Sequence, residues 1–168
     1  MRLPSPHPGA RGWGSGGGER RANARRGNQK RLFKLFAKPY LQQSMYRVSK
    51  QLWFCAAHQV RLSETQCEAL HGHNYRVMVH AEARELDRTS YVIDFAELKK
   101  AAVEACGRFD HANINEVEPF REGERNPTAE ELARFLFEQL ARRFDDGRVR
   151  ISKVEVWETD NNRAEYCP

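Results

Sequence analysis

The chain has 168 residues, 40% of them apolar and 30% charged, enough for one core of ordinary size. No run is apolar and long enough to span a membrane, and no apolar segment with a small-residue cleavage site follows the basic first residues. Neither a membrane-embedded nor a secreted protein is therefore expected. The net charge of +5 is unevenly spread: residues 1–44 hold 10 Lys/Arg and one acid, for +9, and residues 45–168 hold 18 Lys/Arg and 22 Asp/Glu, for −4. The basic character belongs to the leading segment and not to the remainder.

Residues 1–31 are rich in Gly, Pro and Arg, with a Gly14-Ser15-Gly16-Gly17-Gly18 run that has little apolar surface to offset the entropy of ordering. Residues 1–44 are read as a disordered basic extension, and residues 45–168 as the folded domain. A solvated tail or an over-extended translation start, with Met45 as the natural beginning, is preferred to an arm that binds nucleic acid or a membrane surface. Cys55, Cys67, Cys106 and Cys167 are irregularly spaced with no Cys-x-x-Cys pair, which points to reduced thiols in the cytoplasm.

Tyr46 to Val60 is rich in aromatic and β-branched residues and reads as a strand ending near His58. His73 to Glu85 alternates, with Val77, Val79, Ala81 and Ala83 on one face and Arg76, Met78, His80 and Glu82 on the other. Tyr91-Val92-Ile93 reads as a short returning strand. Asp94 then caps a helix carrying Phe95, Leu98, Ala102 and Cys106 as its apolar stripe. Residues 109–115 form a polar, irregular loop of the kind that carries function. Thr128 and Glu131 form a capping box for a second helix that buries Leu132, Phe135, Leu136 and Leu140 and runs to about Phe144. Arg150 to Thr159 is a strand, Asp160-Asn161-Asn162 a hairpin turn, and Ala164-Glu165-Tyr166 the last strand. The order predicts an α+β two-layer domain: a four-stranded antiparallel sheet with two helices on one face. Its open edge or face predicts a homo-oligomer.

The chemistry concentrates at one end of that sheet. His71 and His73 share a face if extended, and His58 ends the preceding strand, so three imidazoles can converge. Three histidines with an open fourth position are the donor set of a catalytic zinc. Cys67 is either a fourth ligand, which would make the site structural, or a thiolate base beside the metal. Asp110 and His111 are able to set the protonation of such a thiol, and Glu158, beside Thr159, to clamp a planar guanidine-like group through two hydrogen bonds. His80 is read as a surface histidine, and Cys55, Cys106 and Cys167 as structural.

Six motifs occur in one order: Phe54-Cys55-Ala56-Ala57-His58, Cys67-x-x-x-His71-Gly72-His73-Asn74-Tyr75, Val92-Ile93-Asp94-Phe95-x-x-Leu98-Lys99, Asp110-His111-x-x-Ile114-Asn115, Asn126-Pro127-Thr128-x-Glu130 and Glu158-Thr159. Over residues 45–167 the sequence thereby resembles the 6-pyruvoyltetrahydropterin synthase family. The three-residue gap between Cys67 and His71 is similar to the bacterial 6-carboxytetrahydropterin synthase branch of queuosine biosynthesis. Cys55 stands where the family more often has Ser.

The resemblance implies a tunnelling fold (T-fold), in which subunit sheets join into an oligomeric barrel with active sites at subunit interfaces. It implies Zn2+ on His58, His71 and His73, Cys67 as general base with Asp110 and His111 as its relay, and Glu158 anchoring the pterin. The implied substrate is 7,8-dihydroneopterin triphosphate, with no partner in membrane or nucleic acid. Two alternatives stay open: a synthase making 6-pyruvoyltetrahydropterin without carbon–carbon cleavage, and a zinc-stabilised module whose basic arm binds nucleic acid.

Overall fold

A computed structural model of the chain describes residues 44–63, 68–121 and 125–168. The expected disorder of residues 1–44 lies outside the described residues, Ser44 excepted. So does Cys67. Met45–Pro168 is one compact unit.

Two long strands, β1 (Tyr46–His58) and β2 (His71–Ala83), pair antiparallel along their whole length, from Tyr46 opposite Ala83 to His58 opposite His71. Helix α1 (Phe95–Gly107) follows, then the two-residue strand β3 (Ala112–Asn113), a single 3-10 turn at Ile114–Glu116, and helix α2 (Ala129–Phe144). The chain closes with β4 (Val149–Trp157) and β5 (Arg163–Tyr166). The sheet order is β3-β1-β2-β4-β5. The fold is the α+β class expected, with five strands in place of four. The extra one, β3, runs parallel to β1 through only Ala56–Ala112 and Ala57–Asn113. Two residues carry no periodicity, so the sequence reads there as loop. Tyr91–Ile93 is not a strand; Val92 and Ile93 are buried as part of the approach to α1.

Both helix starts are as their sequences require. The Asp94 side chain accepts from the Ala96 N–H at 2.7 Å, and the Thr128 hydroxyl accepts from the Glu131 N–H at 3.4 Å. Glu131 does not complete the capping box, since its carboxylate lies near Arg125 and Arg134 instead. On α1 the buried residues are Leu98, Ala101, Ala102 and Cys106, while Phe95 in the first turn stays half exposed. The helix α1 packs on β1, and α2 packs on β4 and β5.

The core lies between these helices and one face of the sheet, where Phe54, Tyr75, Val77, Val79, Ala81, Val154 and Val156 meet Leu98, Leu132, Leu136 and Leu140. Strict alternation would put Ile151 and Val154 on opposite faces. The register shifts between His80–Lys153 and Ala81–Ile151, leaving Ser152 as the extra residue of a bulge. Ile151 and Val154 thus both turn to the core, and Trp157 turns to the helix-free face.

That other face is charged. Glu82, buried despite its charge, accepts from Arg47 at 2.8 Å and from Arg150 at 2.7 Å. Glu155, equally buried, meets His80 at 2.7 Å, Lys153 at 2.8 Å and Arg163. His80 is therefore not a surface histidine: it bridges Ser49 and Glu155 with 12% of its side chain exposed. Burial alone would raise both carboxyls, but the hydrogen bonds from these cations outweigh it and hold each below the ordinary range.

Candidate metal centre and its surroundings

The antiparallel register places the last residue of β1 opposite the first of β2, so His58 and His71 face each other at the sheet's end. His73, two residues on, shares the face of His71. One donor atom from each of the three imidazoles lies within 4.8 Å of the other two. His58 Nε2 and His71 Nε2 are 3.1 Å apart. Two ligands at zinc–nitrogen distances of about 2.0–2.1 Å in a tetrahedron stand roughly 3.4 Å apart, so this spacing suits a shared ion.

The far ring nitrogens support the same reading. His58 Nδ1 lies 2.7 Å from the Pro127 carbonyl and His71 Nδ1 lies 2.9 Å from the Ala69 carbonyl. A carbonyl accepts only, so each Nδ1 carries the proton and each Nε2 turns its lone pair to the common centre. Burial, with the neighbouring His58 and His71 adding to it, keeps His73 below the ordinary histidine value, although Glu158 pulls the other way. His73 is thereby held toward neutral imidazole, the form that binds a transition metal.

Local sequence explains the placement. Gly72 separates the two β2 histidines, and a Cβ there would stand 3.3 Å from the Ala56 carbonyl oxygen, tight against β1. The chain after β1 is pinned by two asparagine side chains that copy a strand ladder. Asn115 accepts from the Gln59 N–H and donates to its carbonyl, both at 2.9 Å. Asn126 does the same for Arg61, at 2.9 and 3.0 Å, which fixes the adjacent Pro127 carbonyl against His58. Beneath the histidines Tyr75 is fully buried, stacked on Phe54 with ring centroids 4.9 Å apart and edge-on to His58 and His73. Burial and Glu158 push its hydroxyl pKa upward, and the hydroxyl has no hydrogen-bond partner among the described residues.

Asp110 and His111 reach this end of the sheet through β3. The Asp110 carboxylate accepts from the Cys55 N–H at 3.0 Å, the His111 N–H donates to the Cys55 carbonyl at 2.6 Å, and His111 adopts φ +56°. His111 Nε2 stands 3.8 Å from Asp110 Oδ1, a loose ion-pair distance. Glu158 follows the last residue of β4. Its N–H donates to the Asn162 carbonyl, and the Thr159 hydroxyl accepts from the Asn161 and Asn162 N–H groups, which fixes the turn that presents Glu158. Two depressions of about 520 and 450 Å³ share Gly72, His73 and Asn74. The first is lined also by Cys55 and His111, the second by Trp53, Arg76, Trp157, Glu158 and Thr159. A third depression, about 700 Å³, lies at the far end of the sheet among Met45, Glu85 and Arg148, and no histidine or cysteine lines it.

His58, His71, His73, Asp110, His111, Glu158 and Thr159 are thus gathered at one end of the sheet. Cys55, expected to be merely structural, lies at the same place, exposed and with its thiol 3.0 Å from Asn74 Oδ1. Cys106 is buried, and its thiol is pushed up to about 12, by burial first and then by Asp110. Sequence reasoning passed over Trp53, Arg76 and Trp157. Their signal was present, because alternation assigns Trp53 and Arg76 to the helix-free face.

Residues 47–168 match the 6-pyruvoyl tetrahydropterin synthase family. The chain belongs to this family. A relative from Haemophilus influenzae, named 6-carboxy-5,6,7,8-tetrahydropterin synthase, is 31% identical over 147 residues, spanning 73% of this chain and 99% of its own. A relative from Pyrococcus furiosus named dihydroneopterin monophosphate aldolase is 32% identical over 114 residues, 68% of this chain and 87% of its own. The solved structure of Caenorhabditis elegans 6-pyruvoyl tetrahydropterin synthase superposes with a TM-score of 0.64 at 27% identity, covering 74% of this chain and 96% of that one. These likenesses bear out the T-fold. No helix among the described residues is long and apolar enough to cross a membrane.

Proposed function

We propose that the protein is a zinc-dependent lyase. It converts 7,8-dihydroneopterin triphosphate and water to 6-carboxy-5,6,7,8-tetrahydropterin, acetaldehyde and triphosphate, as a cytoplasmic enzyme of queuosine biosynthesis. The observation that carries this is the convergence of ring nitrogens of His58, His71 and His73 beside Glu158 in a member of this family. His58, His71 and His73 would hold the zinc, which supplies Lewis acidity toward the hydroxyls of the substrate side chain. Cys67 is the base that removes the adjacent carbon-bound proton, and the Asp110–His111 pair sets its protonation. Glu158, held by the Thr159 turn, accepts hydrogen bonds from the amino-pyrimidinone edge of the pterin.

A homo-oligomer with interfacial sites is part of the same reading. Among the described strands β1 is paired by β3 only at Ala56 and Ala57, which leaves Tyr46 to Phe54 an open backbone edge for a second copy. A charged helix-free face suits a water-lined barrel interior. The alternative product, 6-pyruvoyltetrahydropterin, is kept by the likeness to the C. elegans synthase.

Incubation with dihydroneopterin triphosphate and mass analysis decides between them: acetaldehyde release marks the first reading, and its absence with a 6-pyruvoyl product marks the second. In the same assay Cys67→Ala should keep zinc and lose about 10²–10⁴-fold in turnover. Loss of zinc in that variant would make Cys67 a fourth ligand and the site structural.

A further inference from the structure

On the helix-free face the register aligns Trp53 of β1 with Arg76 of β2, Arg76 with Trp157 of β4, and Trp157 with Arg163 of β5. The guanidinium of Arg76 lies 4.4 Å over the Trp157 ring and that of Arg163 lies 5.5 Å from it. Trp53, directly opposite Arg76, is 61% exposed. The arginines of this face are otherwise neutralised: Arg47 and Arg150 by Glu82, Arg163 by Glu155. Arg76 makes no ion pair among the described residues, and its Nε is buried without a hydrogen-bond partner. An unsatisfied buried donor on a full positive charge is costly and calls for an acceptor.

The place of Arg76 says what that acceptor is. It lines the same depression as His73, Glu158 and Thr159, on a planar fork pre-oriented by the indole beneath it. A carboxylate of this chain would have closed the charge. Glu158 and Asp160 line the same depression, but neither makes an ion pair with Arg76, whereas each of Arg47, Arg150 and Arg163 has one, and this leaves a position for an anion that arrives and leaves. We propose that Arg76, backed by Trp157, binds a phosphate group at the mouth of the site. This deepens the lyase reading by assigning a residue to the phosphate end of its substrate, and it identifies where the negative domain charge is locally offset. The same chemistry would hold either the phosphate chain of the substrate or free phosphate after release.

The test uses the full chain. Inorganic tripolyphosphate is titrated calorimetrically into wild type, Arg76→Met and Arg76→Gln, and the KM for dihydroneopterin triphosphate and the inhibition constant of unphosphorylated dihydroneopterin against it are measured alongside. Loss of a charge-assisted fork should weaken tripolyphosphate about tenfold or more. KM for the phosphorylated pterin should rise by a similar factor, with kcat and the inhibition constant of the unphosphorylated pterin held within about twofold. Weaker tripolyphosphate binding with unchanged substrate KM would place free phosphate, not substrate, on Arg76. Tripolyphosphate affinity within about twofold of wild type in either folded variant overturns the proposal. So does an equal rise in that KM and in the inhibition constant of the unphosphorylated pterin. Wild type that binds tripolyphosphate through Arg76 but does not turn over dihydroneopterin triphosphate would refute the lyase reading and leave the anion site standing.

Discussion

On the helix side of β2, Tyr75, Val77, Val79 and Ala81 are fully buried in an apolar core, whereas the intervening Arg76, Met78, His80 and Glu82 face a carpet of arginine, glutamate and tryptophan. One strand therefore serves two different environments, and it changes role along its length as well. At its start the helix-side residues are His71 and His73, and the other face offers Gly72, Asn74 and Arg76. The candidate site lies where the apolar core gives way to donor atoms at that end. The far end, with a depression of about 700 Å³, offers ion pairs and turn contacts among the described residues. Placement of chemistry here follows strand register and not cavity size.

The comparison of the two faces can be broken by substitution. Leu136→Ala, in the core beneath the sheet, should cost about 2–5 kcal/mol by urea unfolding with an unchanged slope, since it leaves a cavity in packed surroundings. Glu155→Gln, on the charged face, should cost less, about 1–3 kcal/mol, because Lys153 and Arg163 retain access to water when their partner is neutralised. A cost at Glu155 equal to that at Leu136 would show that the charged network carries as much stability as the core.

The two kinds of face also differ in their response to pH. The folded-state carboxyls of Glu82 and Glu155 are held below the ordinary value. Their stabilisation is complete above the unfolded glutamate range, near about pH 4.3, and is lost as the pH falls through the lower folded values. Wild-type stability should decline over that acid interval, and the decline should be shallower in Glu155→Gln. The smallest effect is local. Thr128→Ala should cost about 1 kcal/mol through the lost cap of α2, and it should shift His58 little, because Asn126 still holds the Pro127 carbonyl.

Much of this architecture was readable from residue order. His58, His71 and His73 were legible because consecutive strands that pair antiparallel bring the end of the first opposite the start of the second, and period-two alternation fixes which side chains share a face. The caps at Asp94 and Thr128 were legible because their side chains act on their own backbone. What was not legible depended on partners distant in sequence. The pairing of β3 is two residues long, and its consequence, Asp110 and His111 locked to the Cys55 backbone, has no local signal. His80, Glu82 and Glu155 alternate with core residues and look solvent-exposed until the cations that cover them are known. The bulge at Ser152, which sends Trp157 to the same face as Arg76, follows from the need to bury both Ile151 and Val154. That need appears only once the helix layer is in place.

The central claim is that the three histidines at this end of the sheet hold one catalytic zinc. Metal content per chain, measured on purified wild type and His71→Ala, tests it most directly. The account predicts one zinc per chain in wild type and essentially none in a folded His71→Ala. Stoichiometric zinc retained in His71→Ala would contradict it.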